Sequence, residues 1–280
     1  MTQCRLTDTQ VPMNDSPYSR PEMAATYDRI AARFQFSLPA QDLVKIVAPR
    51  DRDTVLDVGT GTGVVAAAVN KAVQPAGKVV GTDAAFEMIR LGRKQIANLV
   101  VARVPGLPFR AECFDVVVAG FVLSHFENYV DGLVDMIRVC RNGGRIGVSA
   151  WGALPNPAAV LWSDTAAQYV PREQLDEAFR QQIPWDTLFS QIENVAQALQ
   201  TAGLASVATE TRYYSVRMPT EEFLMSREAS TQGLVLCRAL RTARWNDFSV
   251  QVGEAFRDKF GETVEYRRDA HFGAGTKTVR

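Results

Sequence analysis

Three observations predict an α/β fold with a Rossmann-like, doubly wound sheet. Residues 55–65 read VLDVGTGTGVV: an apolar run ends in Asp57, then Gly59, Gly61 and Gly63 alternate with Thr60 and Thr62, and a helix-forming stretch begins. That order is strand, tight glycine turn and helix N-terminus, which lets a backbone approach a nucleoside-containing ligand closely. A second apolar run, KVVGTD, ends in Asp83, placed to accept hydrogen bonds from a ribose. Beyond it, strand-like and helix-like stretches keep alternating at the spacing of a parallel sheet.

In chain order, residues 1–20 are polar with two prolines and read as a loose arm. From 22 to 36, MAATYDRIAARF puts Met23, Tyr27, Ile30 and Phe34 on one helical face. A short helix follows at 41–47, ended by Pro49. Strands are predicted at 54–58, 78–82, 98–102, 114–119 and 145–150. Helices are predicted at 63–73, 85–94 and 129–140, the last ended by Asn142-Gly143-Gly144. After Trp151, four prolines divide a helical, aromatic-rich region. An amphipathic helix at 188–202 leads to a strand at 206–215, then two or three helices over 220–260, then a final strand within 262–277. The organisation expected is a flexible arm (1–21), a ligand-binding core with N-terminal cover helices (22–152), and the remainder of the core sheet with helical lid or substrate insertions (153–280). A dimerisation surface is the other reading of those insertions.

At 280 residues and 46% hydrophobic, the chain can bury one large core. Lysine plus arginine equals aspartate plus glutamate at 31 each, so no overall field draws it to nucleic acid or an anionic membrane. Cys4, Cys113, Cys140 and Cys237 form no close pair and read as reduced thiols, not a disulfide frame or a metal site. No apolar run is long enough for a transmembrane helix, and the first twenty residues lack a signal-peptide core. A soluble cytoplasmic protein without a nucleic-acid or membrane partner is expected.

The glycine spacing separates ligand classes. A dinucleotide fingerprint requires G-x-G-x-x-G, and the third glycine position here is Val64. The pattern is D-x-G-x-G-x-G, which resembles the first motif of class I S-adenosylmethionine-dependent methyltransferases. Leu107–Phe126, LPFRAECFDVVVAGFVLSHF, is similar to the corresponding segment of the small-molecule group related to ubiquinone/menaquinone C-methyltransferases, as are GGRIGVSAWG (143–152) and TYDRIAARF. The resemblance covers about residues 22–152.

It implies a seven-stranded sheet with the last strand antiparallel, and S-adenosylmethionine as cofactor. The turn of Asp57, Gly59, Thr60, Gly61 and Gly63 would lie under the methionine end, and Asp83 would hold the ribose, followed by Ala84 and Met88. Gly120 and Phe121, just beyond the fourth strand, would line the pocket. Tyr27 either approaches the methionyl part or packs as part of the apolar face. The family often places an acidic residue before LPF to bind adenine; here Ala102, Arg103 and Val104 stand there, so backbone groups, stacking or the stem of Arg103 must serve.

Methyl transfer from a sulfonium is a displacement that positioning and water exclusion accelerate, and a general base helps where the acceptor must lose a proton. Of two histidines, His125 lies at the edge where cofactor and acceptor should meet, as a base or as a positional residue; His271 is expected away from the centre. Asp115 reads as structural, and Ser124 as a cofactor contact or a helix cap. Trp151, Trp162, Tyr169, Trp185, Phe189, Tyr213 and Tyr214 would make either an apolar acceptor pocket or a lid core. Arg227 and RALRTAR (238–244) could meet an anionic acceptor, although a solvated helix face is the expected reading.

The function expected is methylation of a small molecule at O, N or C, such as a secondary metabolite or quinone-like compound. The alternative is a protein of the same fold that binds the cofactor without methylating, as a regulator or a cyclase. The site after the fourth strand, AGFVLSHF, lacks the proline and tyrosine of base-modifying enzymes.

Overall fold

The computed structural model describes residues 17–278, so most of the N-terminal arm, with Cys4, lies outside the described residues. The alternation read from the sequence is realised. β1 (Thr54–Val58), β2 (Lys78–Asp83), β3 (Leu99–Val101), β4 (Phe114–Gly120), β5 (Cys140–Trp151), β6 (Leu204–Pro219) and β7 (Thr263–Lys277) form one sheet in the order β3-β2-β1-β4-β5-β7-β6. The pairs from β3 to β5 are parallel, and β7 runs antiparallel to both β5 and β6. β1 and β4 are buried on both faces, which is why they read as mostly apolar runs without alternation.

Helices α1 (Pro21–Thr26) and α2 (Ser37–Val47) precede the sheet, and α3 (Val64–Val73), α4 (Phe86–Gly92) and α5 (Tyr129–Val139) connect its strands. Between β5 and β6 come α6 (Pro157–Ala166), α7 (Arg172–Gln182), α8 (Asp186–Phe189) and α9 (Ile192–Thr201). Between β6 and β7 come α10 (Thr220–Glu228), α11 (Thr231–Ala239) and α12 (Thr242–Phe260).

β5 stops pairing where Trp151 meets Ala270, but β6 and β7 continue as a two-stranded ribbon to Pro219 and Thr263. This overhang carries the inserted helices. Val216, Met218, Val264 and Tyr266 from the ribbon join Trp162, Phe223, Leu236, Phe248 and Phe256 in an apolar cluster distinct from the two flanking the sheet. A two-stranded ribbon has no stability of its own, so this cluster holds it in place.

Three local expectations change. Residues 27–36 form a π-helical stretch between α1 and α2. Its wider i→i+5 turn rotates the predicted stripe apart: Ile30 and Phe34 pack into the insertion cluster, whereas Met23, Tyr27, Ala31 and Phe36 face a cavity. The helix expected at 188–202 is two, α8 and α9, because Gln191 is extended and the Asn194 side chain caps the Leu188 carbonyl at 2.8 Å. Asn142-Gly143-Gly144 does end α5's path, but as a bulge inside β5, where the register shifts and Gly143 has φ +73°.

Of the described cysteines, Cys113 and Cys140 are free thiols, and Cys237 is disulfide-bonded, which corrects the expectation of thiols throughout. Among the described residues, no helix is long and apolar enough to cross a membrane.

Candidate functional site

β1 and β2 end side by side, with Asp57 opposite Gly81 and Val58 opposite Thr82. Asp57 and Asp83 therefore stand at the carboxyl edge of adjacent strands, the position where open α/β sheets bind ligands. Gly59, Gly61 and Gly63 all adopt positive φ, at +66°, +56° and +92°. The turn is tied down by Thr60 N–H donating to the Thr82 carbonyl at 2.8 Å and Gly63 N–H donating to the Thr60 carbonyl at 2.8 Å.

Asp57 is fully buried, and one carboxylate oxygen accepts from the Thr60 hydroxyl at 2.7 Å. It also accepts the Ala66 backbone N–H, in the first turn of α3, where a carboxylate satisfies an orphan donor and meets the helix dipole. Oδ1 has no partner. Burial pushes the carboxyl from its ordinary 3.8 up to about 7, with the Asp83 charge adding to the rise.

The sign of this shift makes a prediction. A carboxyl that holds its proton more tightly when folded contributes stability at low pH, and that contribution is lost as pH rises from about 4 to 7. Asp57→Asn is therefore expected to melt increasingly above the parent across that window, with a constant difference above it. Thermal melts from pH 4 to 8 check it, and a difference independent of pH would refute the shifted titration.

Asp83 accepts from the Gly61 and Ala85 backbone N–H groups, each at 2.9 Å. With a third backbone N–H, that of Ala84, also donating to it, Asp83 couples the glycine turn to the start of α4 and keeps acceptor capacity for a further donor. Burial raises its carboxyl pKa. Ala84 is exposed beside it; Met88 is 3% exposed and packs with Ala24, Ala85, Leu91, Tyr18 and Tyr27.

Of the residues where an adenine acid is missing, Arg103 is exposed and Val104 packs on the core. The loop they sit in is fixed from α5: Asp135 accepts from the Gly106 and Leu107 N–H groups at 2.6 and 2.8 Å, and Arg138 donates to the Leu107 and Phe109 carbonyls. That clamp fixes the backbone of the LPF segment to α5.

A cavity of about 360 Å³ adjoins the turn. Tyr27 forms the connection: it lines the cavity, and its Cε1 lies 3.8 Å from the position a Cβ on Gly61 would take. Phe121, Ser124 and His125 extend the wall from the end of β4. Phe121 has φ +57° and stacks on Trp151 with ring centres 4.2 Å apart; Phe36 closes against both, at 5.3 and 5.5 Å. Gly120 supplies close packing instead of wall, since a Cβ there would meet Val65 at 2.8 Å. Neither Asp57 nor Asp83 lines the cavity, which lies on the Tyr27 side of the turn.

Burial pushes His125 down to about 4 even though its ring is hydrogen-bonded to the Gln182 carbonyl. It is neutral at physiological pH and faces the cavity. His271 sits elsewhere, with Nδ1 2.8 Å from the Thr211 hydroxyl and Nε2 2.9 Å from the Ser190 carbonyl, a link between β6, β7 and the α8–α9 junction. Asp115 is structural: it accepts the Thr54 N–H at 2.8 Å and pairs with Arg141.

Of the seven aromatics expected around the acceptor, Trp151 alone lines the cavity. Trp162 and Phe189 are fully buried in cores, Tyr169 packs on Phe248, and Trp185 donates to the Phe126 carbonyl at 2.8 Å. Tyr214 donates to Asp42 at 2.8 Å, and Tyr213 is 60% exposed. Phe36, Phe121, Phe179 and Phe223 take their place in the wall. Arg227 is a second correction. It lines the cavity and lies over the Trp162 ring at 4.9 Å, whereas Arg238, Arg241 and Arg244 are exposed as expected. Arg268 also lines the cavity, over Trp151 at 3.5 Å. Its signal was present in the sequence: in TVEYRRDA, Val264, Tyr266, Arg268 and Ala270 share one face of a strand whose other members are buried.

The methyltransferase-domain family matches residues 56–148, from the glycine turn to β5. Over those residues the chain carries a methyltransferase domain, and it is similar there to S-adenosylmethionine-dependent methyltransferases. A left-handed glycine turn beside an edge carboxylate that still has acceptor capacity suits a nucleoside-containing cofactor such as S-adenosylmethionine.

The chain is 28% identical over 167 residues to a demethylmenaquinone methyltransferase of Porphyromonas gingivalis, covering 55% of this chain and 67% of the relative. It is 30% identical over 135 residues to the ubiquinone/menaquinone biosynthesis C-methyltransferase of Geobacter sulfurreducens, covering 44% and 53%. The solved structure of Haemonchus contortus phosphoethanolamine N-methyltransferase 2 with S-adenosyl-L-methionine shares the methyltransferase fold, with a TM-score of 0.57 at 15% identity, covering 93% of this chain and 58% of that one. The matches thus span about half to two thirds of these proteins' lengths. The methyltransferase domain ends inside β5, so the insertions that close the cavity lie beyond it.

Proposed function

We propose that this chain transfers the methyl group of S-adenosylmethionine to a small-molecule acceptor held in the cavity beside Tyr27. The observation that carries this reading is the juxtaposition of the glycine turn with an aromatic-walled cavity through one side chain, Tyr27. In this reading Asp83 accepts from the ribose hydroxyls, Ala84, Met88, Arg103 and Val104 border the adenine, and the turn of Gly59, Thr60, Gly61 and Gly63 lies under the methionyl end, with Asp57 bracing it. Phe121 and Gly120 shape the junction with the acceptor. The bound cofactor supplies an activated methyl carbon; the chain's own contribution is to exclude water and align the acceptor, which can supply several kcal/mol. A 360 Å³ cavity is at the small end of ligand sites, which favours a metabolite over a nucleic acid. The equal charge balance supports action without nucleic-acid or membrane partners.

His125 is the proposed base. It lines the cavity beside Ser124 with its ring unprotonated, so it can take a proton from a phenol, alcohol or activated carbon, although burial makes it a weaker base than a free imidazole. His125→Ala is expected to slow transfer about a hundredfold, the lower end of general-base effects, with cofactor affinity within twofold of the parent. Steady-state kinetics alongside calorimetry decides; full activity in the variant removes it as a base. The acceptor screen uses phenolic, quinone-like and amine metabolites with methyl-labelled cofactor, following label transfer and S-adenosylhomocysteine release. Cofactor binding without labelled product across the screen would favour the non-methylating alternative.

A further inference from the structure

The inserted helices bring two guanidinium groups into the acceptor cavity. Arg227 comes from α10, and Arg268 from the ribbon where β7 overhangs β5. Each is desolvated, which lowers its pKa to about 10, and the Arg268 charge depresses Arg227 further. Neither forms an ion pair among the described residues. Arg227 donates to the Gln232 side chain, and its Nε is buried with no hydrogen-bond partner. Arg268 donates to Gln35 at 2.7 Å, and otherwise lies flat on Trp151. Asp186 is the one carboxylate in the wall; together with Asp269 it attracts Arg268, but neither comes within 4 Å, and burial raises the Asp186 pKa.

Desolvating a charge without a partner is expensive, and natural interiors pair such groups or place them where a ligand will. Two like charges sharing one cavity, with neutral amides as their hydrogen-bond partners, form the reverse of a self-neutralising pair. Their planar donors match the two oxygens of a carboxylate or phosphate. Phe36, Phe121 and Trp151 give the same cavity an aromatic, apolar stretch of wall.

We infer that the acceptor is an anionic small molecule, an aromatic body bearing a carboxylate or phosphate that Arg227 and Arg268 bind, with the body packed against Phe36 and Phe121. This rests on the reading of the cavity as the acceptor site and names the acceptor's chemical class. A neutral quinol would leave both cations uncompensated, so the two arginines select against one.

The test is calorimetry on the full chain saturated with S-adenosylhomocysteine. The probes are 4-hydroxybenzoate and phenyl phosphate as anions, benzyl alcohol as the neutral analogue and benzylamine as the cationic one. At least one anion is expected to bind ten or more times tighter than the alcohol or the amine, and the tighter of the two anions shows which acidic group is read. Arg227→Gln is expected to weaken that anion at least tenfold, with Arg227→Lys in between and S-adenosylhomocysteine affinity unchanged. The comparison of anion with alcohol uses the parent protein, so it stands even if a variant fails to fold. Equal binding of anion and alcohol, no binding of either anion, or indifference of a folded Arg227→Gln variant to the anion would each overturn the inference. Failure to bind S-adenosylhomocysteine would instead remove the methyltransferase reading on which it rests.

Discussion

Asp83→Ala is expected to weaken S-adenosylhomocysteine binding by about a hundredfold or more, since hydrogen bonds to a charged group are worth roughly 1.5–3 kcal/mol each and a ribose offers two. The substitution has a second consequence. Asp83 accepts the Gly61 and Ala85 N–H groups, so its loss also leaves two partly buried donors unpaired. Each costs about 1–3 kcal/mol, and the variant should melt well below the parent. Asp83→Asn grades the two effects: its one side-chain oxygen can accept from either Gly61 or Ala85, while its amide NH2 faces the other N–H and donates where the carboxylate accepted. The asparagine variant is therefore expected to melt between the alanine variant and the parent, and to bind the cofactor product poorly. Calorimetry with parallel thermal melts gives both quantities; unchanged affinity in either variant would remove Asp83 from the ribose site.

Gly59→Ala should produce the largest stability loss of any single methyl addition in the turn. The residue sits at φ +66°, and an added Cβ would stand 2.3 Å from Cγ2 and 2.7 Å from Cβ of Val122. Left-handed strain costs about 1–3 kcal/mol and overpacking about 1–3 kcal/mol, so a loss near 4 kcal/mol is expected. For a chain of this size that corresponds to a fall in melting temperature of roughly 10 °C. Gly61→Ala is the contrast. Its φ is +56°, but an added Cβ would meet nothing nearer than the Tyr27 ring at 3.8 Å, so backbone strain alone remains. Val122→Ala in the Gly59→Ala background should recover part of the loss by removing both γ-carbons. Differential scanning calorimetry on the four proteins checks the ordering, and a Gly59→Ala variant as stable as the parent would refute the turn's geometry.

The two predictions concern residues that were legible before any coordinates. Asp57, the three glycines and Asp83 lie within short apolar runs, and each strand end is decided by its own few residues. β1 was read to the residue, and β2 and β4 to within one. β5 begins earlier than expected because the bulge at Asn142-Gly143-Gly144 resumes pairing on its far side, which a glycine pair alone does not announce. The break between α8 and α9 was invisible because the amphipathic period continues across it.

The acceptor side was read least well. Aromatic enrichment after Trp151 suggested a pocket, yet Trp162, Tyr169 and Phe189 fill cores. Composition says how much aromatic surface must be buried, not which face of which helix buries it. Arg227 was assigned to solvent because α10 has almost no apolar face to orient it by sequence. The contacts of Phe223 with Phe256 and Tyr266 orient it instead.

The sequence by itself determined the sheet, the cofactor turn and the two carboxylates at its edge, because those depend on backbone preferences and strand period within a dozen residues. Tertiary structure alone decided the chemistry of the cavity. The overhang of β6 and β7 past β5 sets Arg268 over Trp151, the π-helical stretch turns Tyr27 and Phe36 inward, and α10 delivers Arg227 from across the molecule. Each of those placements is fixed by packing between segments far apart in the chain, which no local pattern encodes.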